Sequence, residues 1–200
     1  MSEPTTFYFV RHGESEANAA RRFAGQSDSP LTERGRRQAE AVAQELATVR
    51  FDRIVSSDLS RTRETAEAIA RRLGLGVEVI PELREIDVGD RTGTLFDETA
   101  GLPGWRDDEF VAWPGGETLD RVLDRVLGVI GRLVRESPAK TILVVGHGGI
   151  NRILISHFLG ILPRLDRTPA TNTNISVVVT DGERHTVQRL FASGHVSSAE

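Results

Sequence analysis

The sequence predicts an α/β domain: a mostly parallel central sheet with helices on both faces. Strand-like apolar runs alternate with longer segments whose apolar residues recur at helical spacing, the order expected of a parallel sheet with crossover helices. One run, TILVVG, is apolar over nearly its whole length, as in a strand buried on both faces. Two hundred residues without an internal repeat, low-complexity tract or linker fit one domain, residues 1–200, large enough to bury a substantial core.

Thr5 to Val10 is the first strand. Leu31 to Thr48 follows as a helix, with Thr32 as its N-cap and Ala39, Val42, Ala43 and Leu46 on one face. Arg53 to Ser56 is a short buried strand. The next helix runs from about Ser60 to Leu73, and Gly74 marks its end. Val77 to Ile80 is a third strand. Leu83 to Gly116 is irregular, rich in Gly, Pro, Asp and Trp, and reads as a loop or partial lid. Leu119, Val122, Leu123, Val126, Ile130, Leu133 and Val134 then form one helical stripe that stops before Pro138. After TILVVG and its glycines a helix is expected from about Ile150 to Leu159. Asn174 to Thr180 and Thr186 to Phe191 are the last strands, flanking a turn at Asp181 to Glu183.

Composition narrows the function classes. A formal charge of −4 lacks the basic excess of a nucleic-acid-binding surface. No apolar run approaches the roughly 18 to 20 residues needed to cross a bilayer. The start, MSEPTTFYFV, lacks the basic region and long apolar stretch of a secretion signal, so a cytoplasmic location is expected. With no cysteine, disulfides, thiolate metal sites and a cysteine nucleophile are excluded.

Ligands of such sheets collect beyond the carboxyl ends of the strands. Two strands end there in histidine, FVRHG at His12 and VVGHGG at His147. Either alone is more often structural; both at strand ends beside glycines form a constellation. Arg11 precedes His12, and Arg61 lies at the start of the second helix, where unpaired N–H groups also favour anions. Two imidazoles and two guanidiniums suit a phosphoryl group.

RHGES with Asn18, SSDLSRTRETA, LREIDVGDRTG and VVGHGGINRIL resemble, in order and spacing, the histidine phosphatase superfamily that includes the cofactor-dependent phosphoglycerate mutases. The resemblance covers about residues 5–192 and implies a phosphoglycerate mutase-like fold. It makes His12 the nucleophile of a phosphohistidine pathway and Glu85 the proton donor. Arg11, Arg61 and His147 would hold the phosphoryl oxygens, with Asn18, Gly25 and Gly148 completing the binding site. For its attacking nitrogen to be free, His12 needs an acceptor for the other, and a carbonyl of the Gly13 turn is expected. Beside Glu85, Asp87 is the local rival and Glu14 a weaker one; without the family, a surface pair with Arg84 would be the default for Glu85. No metal and no cofactor are implied, since the arginines supply positive charge. His157, His185 and His195 show no ligand spacing.

The same machinery serves a phosphatase and a mutase. Mutases of the family usually carry a longer basic insertion after the catalytic glutamate; here TLFDETAGLPGWRDDEFVAWPGGET is short and acidic. Ala24 also stands where the family has a substrate-binding hydroxyl. These departures favour a phosphomonoesterase acting on a small phosphorylated metabolite. Phosphoglycerate-type esters, sugar phosphates and α-ribazole phosphate are candidates by resemblance. A catalytically dead phospho-ligand binder is the non-enzymatic alternative, opposed by the retention of His12, Arg11, Arg61, Glu85 and His147. Trp105, Phe110 and Trp113 read as a small satellite core before they read as a substrate wall. The oligomeric state is not legible from the sequence.

Overall fold

The computed structural model describes residues 3–96, 105–106, 109–110, 112–165 and 170–195. The chain opens with β1 (Thr5–Arg11) and a four-residue helix, α1 (Glu16–Ala19). It continues through α2 (Glu33–Glu45), β2 (Arg53–Ser56), α3 (Ser60–Leu73) and β3 (Val77–Val79). Two 3₁₀ turns, Pro81–Leu83 and Gly89–Arg91, precede a small antiparallel pair, β4 (Trp105–Arg106) and β5 (Glu109–Phe110). Last come α4 (Leu119–Glu136), β6 (Thr141–Gly146), α5 (Gly148–Phe158), β7 (Ile175–Thr180) and β8 (His185–Ala192).

The six-stranded sheet has the order β3-β2-β6-β1-β7-β8. Its first four strands are parallel, while β7 and β8 run antiparallel at one edge. The sheet is therefore mixed: a short turn joins β7 to β8 as a hairpin, which only an antiparallel pair allows. Alternation within each strand splits the core in two. Phe7, Phe9, Ile142 and Val144 pack with Val122, Val126 and Leu133 of α4 and Ile153 and Leu154 of α5. Val10, Leu143, Val145 and Ile54 pack with Val42 and Ala43 of α2 and Ala66 and Ile69 of α3. Both faces of β1 and β6 are thus covered, as their apolar runs require.

Local signals place the helices well. Thr32 Oγ1 accepts from the Gly35 N–H at the start of α2, and Thr118 Oγ1 from Arg121 at the start of α4. Gly74 ends α3 in the left-handed region at φ 68°. α3 lacks a side-chain cap at its own Leu59; Asp28 supplies one from a distant loop, accepting from the Ser60 N–H at 2.8 Å. α1 is closed by a reciprocal pair between Ser15 and Asn18 and falls where the sequence offered no apolar periodicity.

One boundary differs in a way that matters. The last helix begins at Gly148, immediately after His147, rather than near Ile150. Two leading glycines are poor helix formers, but the first-turn N–H groups find an acceptor elsewhere in the fold. Among its described residues the expected loop from Leu83 to Gly116 is irregular apart from the 3₁₀ turn at Gly89–Arg91, a bridge from Leu95 to Arg22 and the β4–β5 pair; its residues 97–104, 107–108 and 111 lie outside the described residues. No helix among the described residues is long and apolar enough to cross a membrane.

Candidate active site

Sheet register alone brings the two histidines together. Arg11 pairs with Gly146 at the ends of the adjacent parallel strands β1 and β6, so the next residue of each chain segment is His12 and His147. The His12 N–H donates to the Gly146 carbonyl at 3.0 Å. The two rings stand edge to face, 5.3 Å apart and inclined at 65°.

A cavity of about 290 Å³ opens beside them. Of the residues expected at the site, Arg11, His12, Asn18, Gly25, Arg61, Glu85 and Gly148 line it; His147, expected to hold a phosphoryl oxygen, is fully buried against the His12 ring and does not line it.

His12 Nδ1 lies 2.6 Å from the Gly13 carbonyl, which can only accept, so the ring proton sits on Nδ1 and Nε2 keeps its lone pair. Burial, then the charges of Arg61 and Arg11, hold the imidazole well below 6.5, against the opposing bond to Gly13. His147 is likewise held well below 6.5 by burial first and then by Arg61, His12 and Arg11. Its Nε2 is 2.8 Å from Ser57 Oγ, which also meets Thr62 Oγ1 at 2.7 Å, while Nδ1 has no partner in the protein.

Arg61 is unusually buried for a cation, and Arg11 is half-buried. Arg61 is 1% exposed; it donates to the carbonyls of Ser27 at 2.9 Å and Gly25 at 2.8 Å, and burial lowers its pKa against the pull of Glu85 and Asp28. Arg11 donates through Nη1 to the Ala170 carbonyl, while its buried Nε has no partner. Burial pushes this guanidinium down to about 10, with Glu85 opposing and Arg152 and Arg61 adding to the fall. An orphaned guanidinium N–H beside a cavity is a donor built for an anion. Asn18 contributes similarly: its Oδ1 accepts from Ser15 N and Asn172 Nδ2, leaving the amide donors for the cavity.

Glu85 accounts for the early start of α5. Its carboxylate accepts from Gly149 N at 3.0 Å, Ile150 N at 3.1 Å and its neighbour Ile86 N at 2.9 Å, so it caps a helix that carries no cap of its own. It does not pair with Arg84, which turns away to bind Asp58. Both rivals are occupied elsewhere. Asp87 Oδ1 accepts from Gly89 N, and Glu14 binds Thr32 and Arg34.

Sequence reasoning missed several neighbours. Ser57, on His147, directly follows Ser56 at the end of β2, another parallel strand of the crevice, and that position was the available signal. Arg22, Phe23, Ile86, Val88, Phe96 and Arg152 also line the cavity, brought there by loops and by the second turn of α5. Trp113 is 4% exposed and packs in the main core, but it also lines the cavity. Its ring meets Phe23 at 5.3 Å, and Phe23 meets Phe96 at 4.7 Å. Wall and satellite core are one cluster here. The expectation for the side chains of Trp105 and Phe110, and for the acidic run Asp107 to Glu109, lies outside the described residues. His157 and His185 each meet Phe158 edge to face, and His195 bonds to Thr173, all away from the cavity.

Comparison with known proteins gives a consistent result. Residues 7–193 match the histidine phosphatase superfamily (branch 1). The "Probable phosphoglycerate mutase GpmB" of Cronobacter sakazakii is 40% identical over 163 residues, 77% of this chain and 74% of that protein. The mycobacterial glucosyl-3-phosphoglycerate phosphatase superposes with a TM-score of 0.84 at 30% identity, covering 96% of this chain and 100% of that one. YhfR of Bacillus stearothermophilus gives 0.86 at 30%, covering 96% and 99%. The paired strand-end histidines therefore belong to a phosphate-ester enzyme, and the chain is a member of the histidine phosphatase superfamily, branch 1.

Proposed function

We propose that the protein is a phosphatase of small phosphate monoesters, working without a metal through a phosphohistidine on His12. The observation that carries this is the 2.6 Å contact of His12 Nδ1 with the Gly13 carbonyl, in a ring held neutral by burial and two arginines. In the first step His12 Nε2 attacks phosphorus and the ester P–O bond breaks. Glu85 in its protonated form gives its proton to the departing oxygen. Arg11, Arg61 and the Asn18 amide hold the remaining oxygens, and His147, oriented by Ser57, supports His12 from behind. In the second step Glu85 takes a proton from water as its oxygen attacks phosphorus, and the P–N bond breaks to release phosphate.

The substrate body would rest against Phe23, Phe96 and Trp113, with Arg22 and Arg152 giving that part of the cavity positive charge. A volume of about 290 Å³ favours a small ester over a folded phosphoprotein. Glucosyl-3-phosphoglycerate, acted on by the mycobacterial relative, and simpler phosphoglycerate-type or sugar phosphates fall within this class. The mutase reading is supported by the name of the Cronobacter relative; against it stand Ala24 on the cavity wall and the short acidic stretch before α4.

The test is phosphate release from a panel of monoesters, including 3-phosphoglycerate, with EDTA present. In parallel, conversion of 3-phosphoglycerate to 2-phosphoglycerate is assayed with a bisphosphoglycerate primer. Release that survives EDTA and disappears in His12→Ala supports the phosphatase. Isomerisation without release makes the protein a mutase, and neither reaction makes it a binder.

A further inference from the structure

Glu85 sits on a segment with little regular structure, between the turns at Pro81–Leu83 and Gly89–Arg91. One side chain of α4 holds that segment. Arg125 Nη1 donates to the carbonyls of Glu82 at 2.7 Å and Arg84 at 2.8 Å, and Nη2 donates to that of Glu85 at 3.1 Å. Its remaining donors go to Glu117, Nε to Oε1 and Nη2 to Oε2, both at 2.7 Å. Glu117 then takes up the chain on the far side: its Oε2 accepts from Asp87 N at 2.8 Å, and its own N–H donates to the Asp87 carbonyl at 2.9 Å. From the other direction Gln26 Nε2 donates to the Glu85 carbonyl at 3.2 Å.

We infer that Arg125 and Glu117 are positioning residues that aim Glu85 at the start of α5 and the leaving-group oxygen. Neither lines the cavity, so neither touches substrate. Their side chains are 18% and 15% exposed, an environment where an ion pair by itself gives little net stability. What distinguishes this pair is where its bonds go: to the main chain on both sides of one carboxylate. Only a planar, five-donor guanidinium can span three carbonyls and a carboxylate at once. The Glu85 carboxylate must satisfy the helix N-terminus and reach the reacting oxygen together, so a shift of about 1 Å in its backbone would cost the proton transfer far more than the binding of phosphate.

This inference rests on Glu85 being the proton donor. It is tested with two aryl phosphates that differ by one para-nitro group, phenyl phosphate and 4-nitrophenyl phosphate. Only the first has a leaving group that needs an acid, and kcat/KM reports the step that makes phosphohistidine. The ratio of the two values is insensitive to the folded fraction, because both substrates are turned over by the same molecules. In Arg125→Met the ratio of phenyl to nitrophenyl phosphate should fall about tenfold, with Arg125→Lys and Glu117→Gln intermediate. Inhibition by inorganic vanadate, which reads the phosphoryl pocket, should change less than about twofold if Arg11 and Arg61 remain in place. An unchanged ratio in Arg125→Met, while Glu85→Gln lowers it, overturns the positioning role alone. An unchanged ratio in Glu85→Gln overturns the assignment of the acid and this inference with it. A loss of vanadate inhibition parallel to the loss of activity makes the pair a support of the whole pocket and likewise overturns the inference.

Discussion

At His12 one backbone carbonyl and two guanidiniums settle the chemistry of a ring that in water would be half protonated at about pH 6.5. Gly13 fixes which nitrogen carries the proton; burial, Arg61 and Arg11 decide that only one does. Removing a charge should partly undo this. In Arg61→Met the His12 midpoint, followed by NMR of the imidazole, should move upward from its lowered value; an unmoved midpoint would show that Arg61 has no hold on His12. The same variant should lose about 10²-fold in kcat/KM as a phosphoryl donor set disappears. Close to it, Gly149 has no room for a side chain. A Cβ there would stand 2.7 Å from both Glu85 Oε1 and Ile86 Cδ1. Gly149→Ala should therefore displace the carboxylate and slow phenyl phosphate about tenfold more than 4-nitrophenyl phosphate. Equal slowing of the two would place the strain elsewhere.

Between elements, the approach of α2 to the turn after β1 sets where that turn lies. A Cβ on Gly35 would meet the Glu14 carbonyl oxygen at 2.0 Å, and one on Gly13 the Gly35 carbonyl at 2.4 Å, backbone against backbone in both cases. The neighbouring bonds follow the same path: Gly13 N donates to Thr65 Oγ1 at 3.0 Å and Glu14 N to Gln38 Oε1 at 2.8 Å, tying the His12 turn to α3 and α2. Gly35→Ala should force the two segments apart and destabilise the fold by about 1–3 kcal/mol, as measured by urea unfolding. A stability within about 0.5 kcal/mol of the parent would mean that the turn can yield. At this scale the sequence was informative about boundaries and silent about partners. Thr32, Gly74 and Pro138 mark helix ends by their own chemistry, whereas α3 and α5 borrow their caps from Asp28 and Glu85, residues 32 and about 65 positions away. A long-range cap leaves no local signature, and for that reason local signals place the start of α5 two residues late.

Across the whole molecule, burying two neutral imidazoles beside two arginines ties stability to pH. His12 is 3% exposed and His147 fully buried, and both are held well below 6.5. Below about pH 6.5 the unfolded chain binds protons on these histidines that the folded chain does not take up. Their neutral burial is thus without penalty above that pH, and stability falls as pH drops toward the lowered folded midpoints. Each histidine contributes a slope of about 1.4 kcal/mol per pH unit. His157 and His195, also lowered chiefly by burial, act in the same direction. Urea unfolding at pH 7.5 and 5.5 should differ by roughly 2–3 kcal/mol, with the acid sample weaker. Equal stabilities would mean that the buried rings accept protons after all.

The sequence by itself determined the alternation of strands and helices, the coverage of both sheet faces, and the two histidines at strand ends, because periodicity and turn chemistry act within a few residues. With four ordered motifs it also determined the family. The tertiary structure alone decided that Arg84 turns to Asp58 while Glu85 turns to α5, and that Ser57 stands behind His147. It alone set the aromatic cluster against the cavity and gathered Arg125 and Glu117 around the backbone of Glu85. These choices depend on which groups arrive from distant parts of the chain to satisfy a buried donor or carboxylate. In a closely packed interior each such group takes the partner that geometry offers, and local sequence does not encode that geometry.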